Sequence, residues 1–249
     1  MAADPQVIAR NIRDVRRRIE AAAQRAGRPP STIRLIAVSK TFSPDHVRAA
    51  LDAGQLDFGE NKVQEGLAKA GALAGESGAK AQAVRWHLIG HLQSNKAKKT
   101  AGVFSAIHSV DSVDLVRRID EGAEAAGTAP EILIQADLAG EATKFGANPS
   151  EIPAIVQSAL QCRAATLRGL MVVPPWSDNS EDVRPWFRQL RALRDRLVED
   201  GVPAASMAEL SMGMSHDFEA AIEEGSTIVR VGTAIFGTRA AGLHSGAGA

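Results

Sequence analysis

A lysine stands directly after a short apolar run, in the segment LIAVSK that ends at Lys40. The run has the composition of a buried strand, and most lysines at such an end simply reach solvent with the ammonium group. A lysine that is desolvated at a strand end instead has a depressed pKa and can attack carbonyl groups to form a Schiff base. Lys40 is therefore a candidate nucleophile for a carbonyl compound.

Two later segments, SMGMSHDF and RVGT, carry residue types that bind anions. They place the hydroxyls of Ser211 and Ser215 beside Gly213, with a helix predicted to begin at Ser215, and they place Gly232 and Thr233 after another apolar run. Backbone N–H groups at glycine turns and helix starts, joined by hydroxyls, bind phosphate. Each residue alone is better explained as a helix cap or a turn, but the two segments together favour a phosphate site. A phosphorylated aldehyde would satisfy this site and the lysine together.

Eight short apolar runs alternate with longer amphipathic stretches, after an opening helix predicted over residues 5–26. The predicted strands cover residues 34–39, 56–59, 85–89, 106–109, 132–137, 168–173, 209–212 and 227–231. Strands that alternate with single helices pair in parallel, and eight such units close most economically into a barrel. The sequence therefore predicts an α/β fold, a single (β/α)8 TIM barrel with an extra N-terminal helix. The alternative is an open doubly wound sheet, and the lack of a GxGxxG motif after the first strand disfavours its dinucleotide-binding version.

Serines and glycines mark the predicted helix boundaries. The amphipathic stretches are preceded by the predicted N-caps Ser43, Ser112 and Ser215. The predicted helix ends lie at Gly54, Gly127, Gly201 and Gly225. The glycine-rich segments 71–78 and 241–249 are predicted to be a flexible loop and a frayed tail, so residues 1–249 are expected to form one domain.

The predicted barrel places the lysine and the phosphate site at the same end. In a parallel barrel, binding residues gather at the carboxyl ends of the strands, and phosphate sites form at the loops after strands seven and eight. Lys40 follows the first predicted strand, Ser215 follows the seventh, and Gly232 follows the eighth.

Composition and charge exclude several classes of function. Lysine and arginine total 29 and aspartate and glutamate also total 29, so no net charge attracts nucleic acid or an anionic membrane. The single cysteine, Cys162, lies in an apolar-periodic stretch predicted to be helical, which excludes disulfides and a thiolate metal cluster. No signal region and no apolar window of about 18 residues is present, so we expect a cytoplasmic protein without membrane spans. No coiled-coil seam is apparent, and a monomer is expected.

No metal site is expected either. His87 and His91 have a spacing that suits two metal ligands on a helix, but Gly90 and the strand context spoil that geometry and no third ligand is apparent. His216 is next to the predicted phosphate site, where a polar residue in the first turn of a helix is usually solvated.

Seven segments of the chain resemble, in order, the pyridoxal-phosphate homeostasis proteins, which are relatives of the barrel domain of alanine racemase. The segments are LIAVSKTFS, DFGENKVQE, WHLIGHLQSNK, HSVDS, TKFG, RGLMVV and ELSMGMSHDFEAAIEEGSTIVRVGTAIFG. They run from about residue 35 to 239, and the last segment is long enough to be specific. The resemblance implies a single fold-type III barrel that binds pyridoxal 5′-phosphate as an internal aldimine.

The resemblance also implies roles for individual residues. Lys40 matches the Schiff-base lysine of the family, and Arg230 matches the arginine that faces the pyridine nitrogen. Asn61 of the segment GEN is expected near the cofactor. The family's phosphate contacts are matched by Ser215, Gly232 and Thr233.

Two further lysines are matched at the mouth of the barrel, and one residue there departs from the family. Lys96 of SNK and Lys144 of TKFG match lysines where a second aldimine or a transfer of the cofactor has been considered. His91 departs from the family, which usually has proline there, and this changes the expected shape of the loop after strand three.

Arg230 and the lack of tyrosine bear on catalysis. A guanidinium keeps its proton, so a pyridine nitrogen that faces Arg230 stays unprotonated and the ring is a poorer electron sink. Racemases of this fold use a lysine and a tyrosine as two bases, with a second domain completing the site. This chain has no tyrosine and ends about where the barrel ends. We therefore expect a protein that buffers pyridoxal phosphate or delivers it to apoenzymes, without substantial catalysis. The alternative is an enzyme, either an amino-acid racemase that uses this cofactor or a Schiff-base aldolase that acts through Lys40.

Overall fold

The computed structural model describes residues 3–74, 83–140 and 145–238. The strands are β1 (Arg34–Val38), β2 (Asp57–Glu60), β3 (Arg85–Leu88), β4 (Phe104–Val110), β5 (Glu131–Gln135), β6 (Thr166–Met171), β7 (Glu209–Ser211) and β8 (Ile228–Val231). The helices are α1 (Pro5–Arg25), α2 (Pro44–Asp52), α3 (Val63–Ala74), α4 (Val113–Ala126), α5 (Ile152–Leu160), α6 (Ser180–Glu199), α7 (Phe218–Glu223) and α8 (Thr233–Phe236).

The strands form one closed parallel barrel in chain order, in which β1 also pairs with β8. At this closing pair Ile36 lies opposite Arg230 and Leu35 lies opposite Val229. The predicted (β/α)8 barrel is confirmed, and α1 is the extra helix that precedes it.

The helix α1 lies across the outside of the barrel and contacts α2, α7 and α8. Asp4 caps the helix, because its carboxylate accepts hydrogen bonds from the N–H groups of Gln6 and Val7. Apolar residues recur at helical spacing on one face, and burial of each such side chain contributes roughly 1.5–3 kcal/mol. The buried aliphatic residues of this face are Ile8, Ile12, Val15 and Ile19.

The barrel interior is filled partly by apolar and partly by polar side chains. One small buried cluster is separate from the main core, which includes residues of both the strands and the surrounding helices. Its members, Ile36, Leu133, Met171 and Ile228, all belong to strands. The buried polar residues of the strands include His87, His108, Ser211 and Arg230. Part of the barrel interior is therefore polar.

The observed strands begin or end within two residues of the predicted limits. For example, β5 ends at Gln135 and β6 ends at Met171, each two residues before the predicted end. Ala136 and Val172 are buried although they lie outside the strands. The predicted strands extend too far because apolar residues indicate burial, whereas a strand ends where its hydrogen bonds to the neighbouring strands end.

Some predicted helix boundaries are wrong. The helix α3 continues through Gly71 to Ala74 where a loop was predicted, and residues 75–78 of that segment lie outside the described residues. The helix α5 ends at Leu160, before Cys162. The tail 241–249 also lies outside the described residues.

The three predicted serine caps have different outcomes. Ser112 caps α4 by accepting a hydrogen bond from the N–H of Leu115, as predicted. Ser43 makes no capping hydrogen bond to α2, because its hydroxyl lies 2.9 Å from His46 Nδ1 instead. Ser215 does not begin a helix, since α7 begins at Phe218.

Candidate functional site

A cavity of about 360 Å³ lies at the carboxyl ends of the strands. The predicted cofactor-binding residues that line it are Lys40, Asn61, Ser215, Arg230, Gly232 and Thr233. Its apolar lining consists of Val38, Phe42, Ile89, Val173, Trp176 and Met214. The structure therefore brings together, in one cavity, an amine, a guanidinium and the predicted phosphate contacts.

Lys40 is half-buried and is held by an unusual turn. The next residue, Thr41, has a φ of 68°, a left-handed conformation that is uncommon for a β-branched residue. Its N–H donates a hydrogen bond to the carboxylate of Glu65 at 3.0 Å. A conformation of this kind costs about 1–3 kcal/mol and persists only where the surroundings fix it. The direction of the chain after Lys40 is therefore set by contacts with α3.

Behind Lys40 lies a buried ion pair. Glu60 Oε1 accepts hydrogen bonds from Ser39 Oγ and from Lys69 Nζ, each at 2.6 Å. Lys69 Nζ also donates to the carbonyl oxygen of Ser39 at 2.7 Å. Because burial disfavours the carboxylate, the pKa of Glu60 is raised even beside this lysine. These contacts join the end of β1 to β2 and α3.

The predicted phosphate contacts meet at Ser215. Ser215 Oγ accepts hydrogen bonds from the N–H groups of Gly232 at 3.1 Å and Ala234 at 3.4 Å. A Cβ at Gly232 would lie 3.3 Å from the carbonyl oxygen of Val38, which is a tight approach. Ser215 therefore joins the loop after β7 to the loop after β8 instead of capping a helix, and Thr233 begins α8 beside it.

Arg230 is buried and supplies positive charge to the cavity. Its Nη1 donates to Ser211 Oγ at 2.6 Å and its Nη2 donates to the carbonyl oxygen of Val172 at 2.9 Å. Burial lowers the pKa of the guanidinium to about 10, although the charge of Asp217 opposes this, so Arg230 remains a cation at neutral pH. Among the described residues no carboxylate lies within 4.0 Å of its nitrogens. A ligand in the cavity therefore meets a positive charge that no carboxylate of the described chain pairs with directly.

Ser211 has a different position from the one predicted. It is fully buried and is not among the residues that line the cavity. Its hydroxyl contacts Arg230 and also lies 2.8 Å from His108 Nδ1. Ser211 is thus placed to support Arg230 rather than to contact a phosphate.

A row of buried polar side chains continues from Ser211 through the barrel. His108 Nε2 lies 3.0 Å from His87 Nδ1, and His87 Nε2 lies 2.9 Å from Asp57 Oδ1. Arg85 donates to the two carboxylate oxygens of Asp57 at 2.7 and 2.6 Å. We call the side chains of Ser211, His108, His87 and Asp57 the barrel relay.

The charges of the barrel relay follow from burial and from its partners. Burial lowers the pKa of His87 and lowers the pKa of His108 further, so both rings are neutral at neutral pH. Burial also favours the neutral form of Asp57, but hydrogen bonds from His87 and Arg85 outweigh it and hold the pKa of that carboxyl well below its ordinary value. The relay therefore contains one carboxylate, paired with Arg85, and two neutral imidazoles.

The remaining predicted residues lie around the mouth or outside the described chain. Lys96 belongs to a short 3-10 helix, Ser94–Lys99, and is not among the residues that line the cavity. Lys144 lies outside the described residues. His91 lies 3.6 Å from Asp111, and its ring stacks on Phe145 with the centroids 3.8 Å apart.

Sequence reasoning did not identify the aromatic part of the site. Trp176 lines the cavity, is 68% exposed and lies with its ring centroid 4.0 Å from that of His216, which also lines the cavity. The available signal was its position shortly after the sixth strand, at the end of the barrel where binding residues gather. His216 was interpreted as a solvated residue, but it packs against this tryptophan.

The described residues contain no group of three histidine, cysteine, aspartate or glutamate side chains that could hold a metal ion. Within the same part of the chain, every helix is too short or too polar to cross a membrane.

Known proteins share both the sequence and the fold. The family model described as "Alanine racemase, N-terminal domain" matches residues 4–240. A pyridoxal phosphate homeostasis protein of Aquifex aeolicus is 43% identical over 222 residues, which cover 89% of this chain and 94% of the relative. One of the same name from Pseudomonas aeruginosa is 42% identical over 93% of this chain and 96% of the relative.

A solved structure agrees with these relatives. PipY of Synechococcus elongatus, determined with pyridoxal phosphate bound, is 36% identical and superposes with a TM-score of 0.79 over 92% of this chain and 100% of that chain. The matches cover nearly the whole of both proteins. The chain therefore belongs to the pyridoxal phosphate homeostasis protein family, whose barrel is that of the alanine racemase N-terminal domain.

Proposed function

We propose that this chain binds pyridoxal 5′-phosphate in the cavity and acts in the homeostasis of that cofactor as a carrier. In this proposal Lys40 Nζ attacks the aldehyde carbon, a C=N bond forms, and the aldehyde oxygen leaves as water. The observation that carries the proposal is the meeting of Lys40, Arg230 and the Ser215–Gly232 contact in one cavity. The bound ligand of PipY and the names of the relatives support the same cofactor.

The residues of the cavity fit the polar groups of this cofactor. A phosphate needs several N–H or O–H donors, and the cavity offers the hydroxyls of Ser215 and Thr233. The N–H groups of Gly232 and Ala234 donate to Ser215 Oγ, which leaves the proton of that hydroxyl for the phosphate. An unprotonated ring nitrogen is an acceptor, and Arg230 can only donate. Lys40 is the amine for the aldehyde. The apolar lining suits the faces of an aromatic ring.

A carrier is favoured over an enzyme by the chemistry of the same residues. Arg230 stays protonated, which leaves the ring nitrogen without a proton and makes the ring a poor electron sink. The chain has no tyrosine that could act as a second base opposite Lys40. We infer that the protein holds the cofactor, as a monomer, and passes it to apoenzymes without substantial turnover of its own.

The visible spectrum of the purified protein tests the cofactor and its attachment. We expect an absorbance band of the bound cofactor, its loss on borohydride reduction, and a reduced adduct on Lys40 located by peptide mass mapping. Lys40→Ala should abolish the band, whereas Lys96→Ala, a matched change of a lysine that does not line the cavity, should retain it. An unchanged spectrum in Lys40→Ala would refute the proposed attachment.

The role as a carrier has its own test. Mixed with a cofactor-free apoenzyme, the loaded protein should transfer cofactor and restore that enzyme's activity, and it should run as a monomer on a calibrated column. Sustained racemisation of an amino acid, or trapping of a sugar phosphate on Lys40 by borohydride, would favour the racemase or the aldolase instead.

A further inference from the structure

The barrel relay has a fixed direction of hydrogen bonding, and the carboxylate of Asp57 sets it. Because Asp57 only accepts, the neutral ring of His87 carries its proton on Nε2 and accepts at Nδ1, so the neutral ring of His108 donates from Nε2 and accepts at Nδ1. The hydroxyl proton of Ser211 is therefore donated to His108 Nδ1. Arginine has no acceptor, so Arg230 donates to the oxygen of the same hydroxyl.

The second imidazole donates in the same direction. The proton on His108 Nε2 is donated to His87 Nδ1, which leaves the proton of His87 on Nε2. That proton is donated to the carboxylate of Asp57, the acceptor at the other end of the relay. Every member from Arg230 to Asp57 therefore donates in one direction, and each imidazole is neutral in a single tautomer.

The charged groups around the relay disfavour protonation of its two histidines. His108 is packed near the cations Arg230 and Arg34, and His87 near Arg34 and Arg85, while Asp57 is the carboxylate that faces His87. A proton on His108 would add a second cation beside Arg230 and would remove the acceptor at Nδ1 that receives the hydroxyl proton of Ser211. The relay therefore resists protonation at its end nearest the cavity.

We propose that Ser211, His108 and His87 are positioning residues of the cofactor site, which hold Arg230 as a fixed donor and so select a ligand with an unprotonated ring nitrogen. The inference rests on the proposed function, because the ring nitrogen is that of pyridoxal phosphate. Two of the guanidinium nitrogens are engaged by Ser211 and Val172, and this leaves the other N–H groups for the cavity that Arg230 lines. Without Ser211, Arg230 would lose the contact that sets its orientation.

The far end of the relay is anchored at a second cavity. Asp57 and Arg85 line a cavity of about 410 Å³ that also includes Arg34 and Gln55. The relay thus extends from this cavity to the guanidinium at the cofactor site.

The experiment uses the loaded protein and pyridoxal phosphate labelled with ¹⁵N in the ring. In the wild type the nitrogen signal should remain that of an unprotonated pyridine between about pH 6 and 9, because Arg230 donates to it. In Ser211→Ala and His108→Leu the signal should titrate within this range, and the dissociation constant for the cofactor should rise about tenfold, the effect of losing one hydrogen bond to a charged group. His108→Asn retains an amide acceptor for Ser211 and should restore most of the wild-type signal.

Ser226→Ala is the matched control. Ser226 is also a fully buried serine, and its hydroxyl contacts the carbonyl oxygens of Met212 and Ile228 but no member of the relay. This variant should lose stability without a change in the nitrogen signal. If Ser211→Ala does not fold, the His108→Leu and His108→Asn pair gives the same comparison.

The possible outcomes separate this inference from the proposed function. A nitrogen signal and an affinity unchanged in both Ser211→Ala and His108→Leu would overturn the inference while leaving cofactor binding intact. A wild-type protein that binds no pyridoxal phosphate would overturn the proposed function instead.

Discussion

The ammonium of Lys69 lies 2.6 Å from the carboxylate of Glu60 between α3 and β2, and both side chains are buried. Glu60 Oε2 has no hydrogen-bond partner among the described residues. Within the described part of the chain, the hydrogen bonds to this carboxylate therefore come from Lys69 and Ser39 only, next to the turn that follows Lys40.

Replacing Lys69 with methionine should lower the free energy of unfolding by about 3–5 kcal/mol, because a buried carboxylate loses its cation. Burial raises the pKa of Glu60, so the folded state takes up a proton there more readily than the unfolded chain does. The free energy of unfolding of the variant should therefore rise as the pH falls. Urea denaturation at pH 8 and pH 5 measures both effects. The double variant Lys69→Met/Glu60→Leu should recover most of the loss at pH 8, and an equal loss in both variants would contradict this explanation.

Ser215→Ala should weaken binding of pyridoxal phosphate about tenfold, because the site loses one hydroxyl that the phosphate would contact. Pyridoxal, which has no phosphate, is the matched ligand and should bind the variant and the wild type alike. Titration followed by absorbance compares the four dissociation constants. Equal weakening for both ligands would place the effect of Ser215 outside the phosphate site.

Gly213→Ala should destabilise the protein more than Gly201→Ala, although the two glycines have nearly the same backbone conformation. Their φ angles are 97° and 95°, which any L-residue adopts only with strain. A Cβ at Gly213 would lie 2.9 Å from the Cα of Phe218, whereas a Cβ at Gly201 would meet nothing within 4 Å. We expect a loss of about 1 kcal/mol at Gly201 and at least about 3 kcal/mol at Gly213, measured by urea denaturation. Similar losses would mean that the loop after β7 adjusts to the added methyl group.

The stability of the protein should fall as the pH drops below about 6.5, the ordinary pKa of histidine. The pKa values of His87 and His108 are lowered in the folded state, so the unfolded chain takes up protons there first. The contribution of the neutral histidines to the free energy of unfolding is present in full above that pH. As the pH falls, each histidine loses up to about 1.4 kcal/mol of this contribution per pH unit, until the pH reaches its pKa in the folded state. His46, whose pKa is also lowered, adds to the effect.

Imidazole signals in nitrogen NMR provide the direct check of this prediction. His87 and His108 should remain neutral, with the proton on Nε2, at pH values where a histidine of ordinary pKa is already charged, since burial lowers the pKa of both rings. Titration of either ring near pH 6.5 would contradict both the expected pH dependence and the direction of the barrel relay.

The fold was predictable from the sequence because each strand carries its own apolar signal and most of the crossovers carry a helical one. Lys40 and Gly232 were predictable together for the same reason, since each follows a strand at the same end of the barrel, whereas Asn61 and Arg230 were expected from the resemblance to the family. No pairing information was needed to place Lys40 and Gly232 at one end.

The role of Ser211 was not predictable in this way. Its sequence neighbours suggested a phosphate contact, but its partners His108 and Arg230 belong to other strands, and 103 residues separate it from His108. Ser215 differs from its predicted role for a similar reason, because Gly232, 17 residues later in the chain, donates to the hydroxyl that was expected to cap a helix. Hydrogen bonds between distant strands decide such roles, and local composition does not report them.

The pairing of β1 with β8 has a consequence for the order of events in folding. Lys40 follows β1 and Arg230 lies on β8, so these two residues of the cavity are carried by the pair of strands that closes the barrel. On the outside, α1 is joined to the same region by Arg18 with Glu219 and by Asn11 with Ile235, pairs separated by 201 and 224 residues. Contacts between such distant residues form late, because the entropy of closing a long loop must be overcome first. The ability to hold a ligand between Lys40 and Arg230 should therefore appear only when the ring of strands is complete, and a bound ligand would stabilise that final closure.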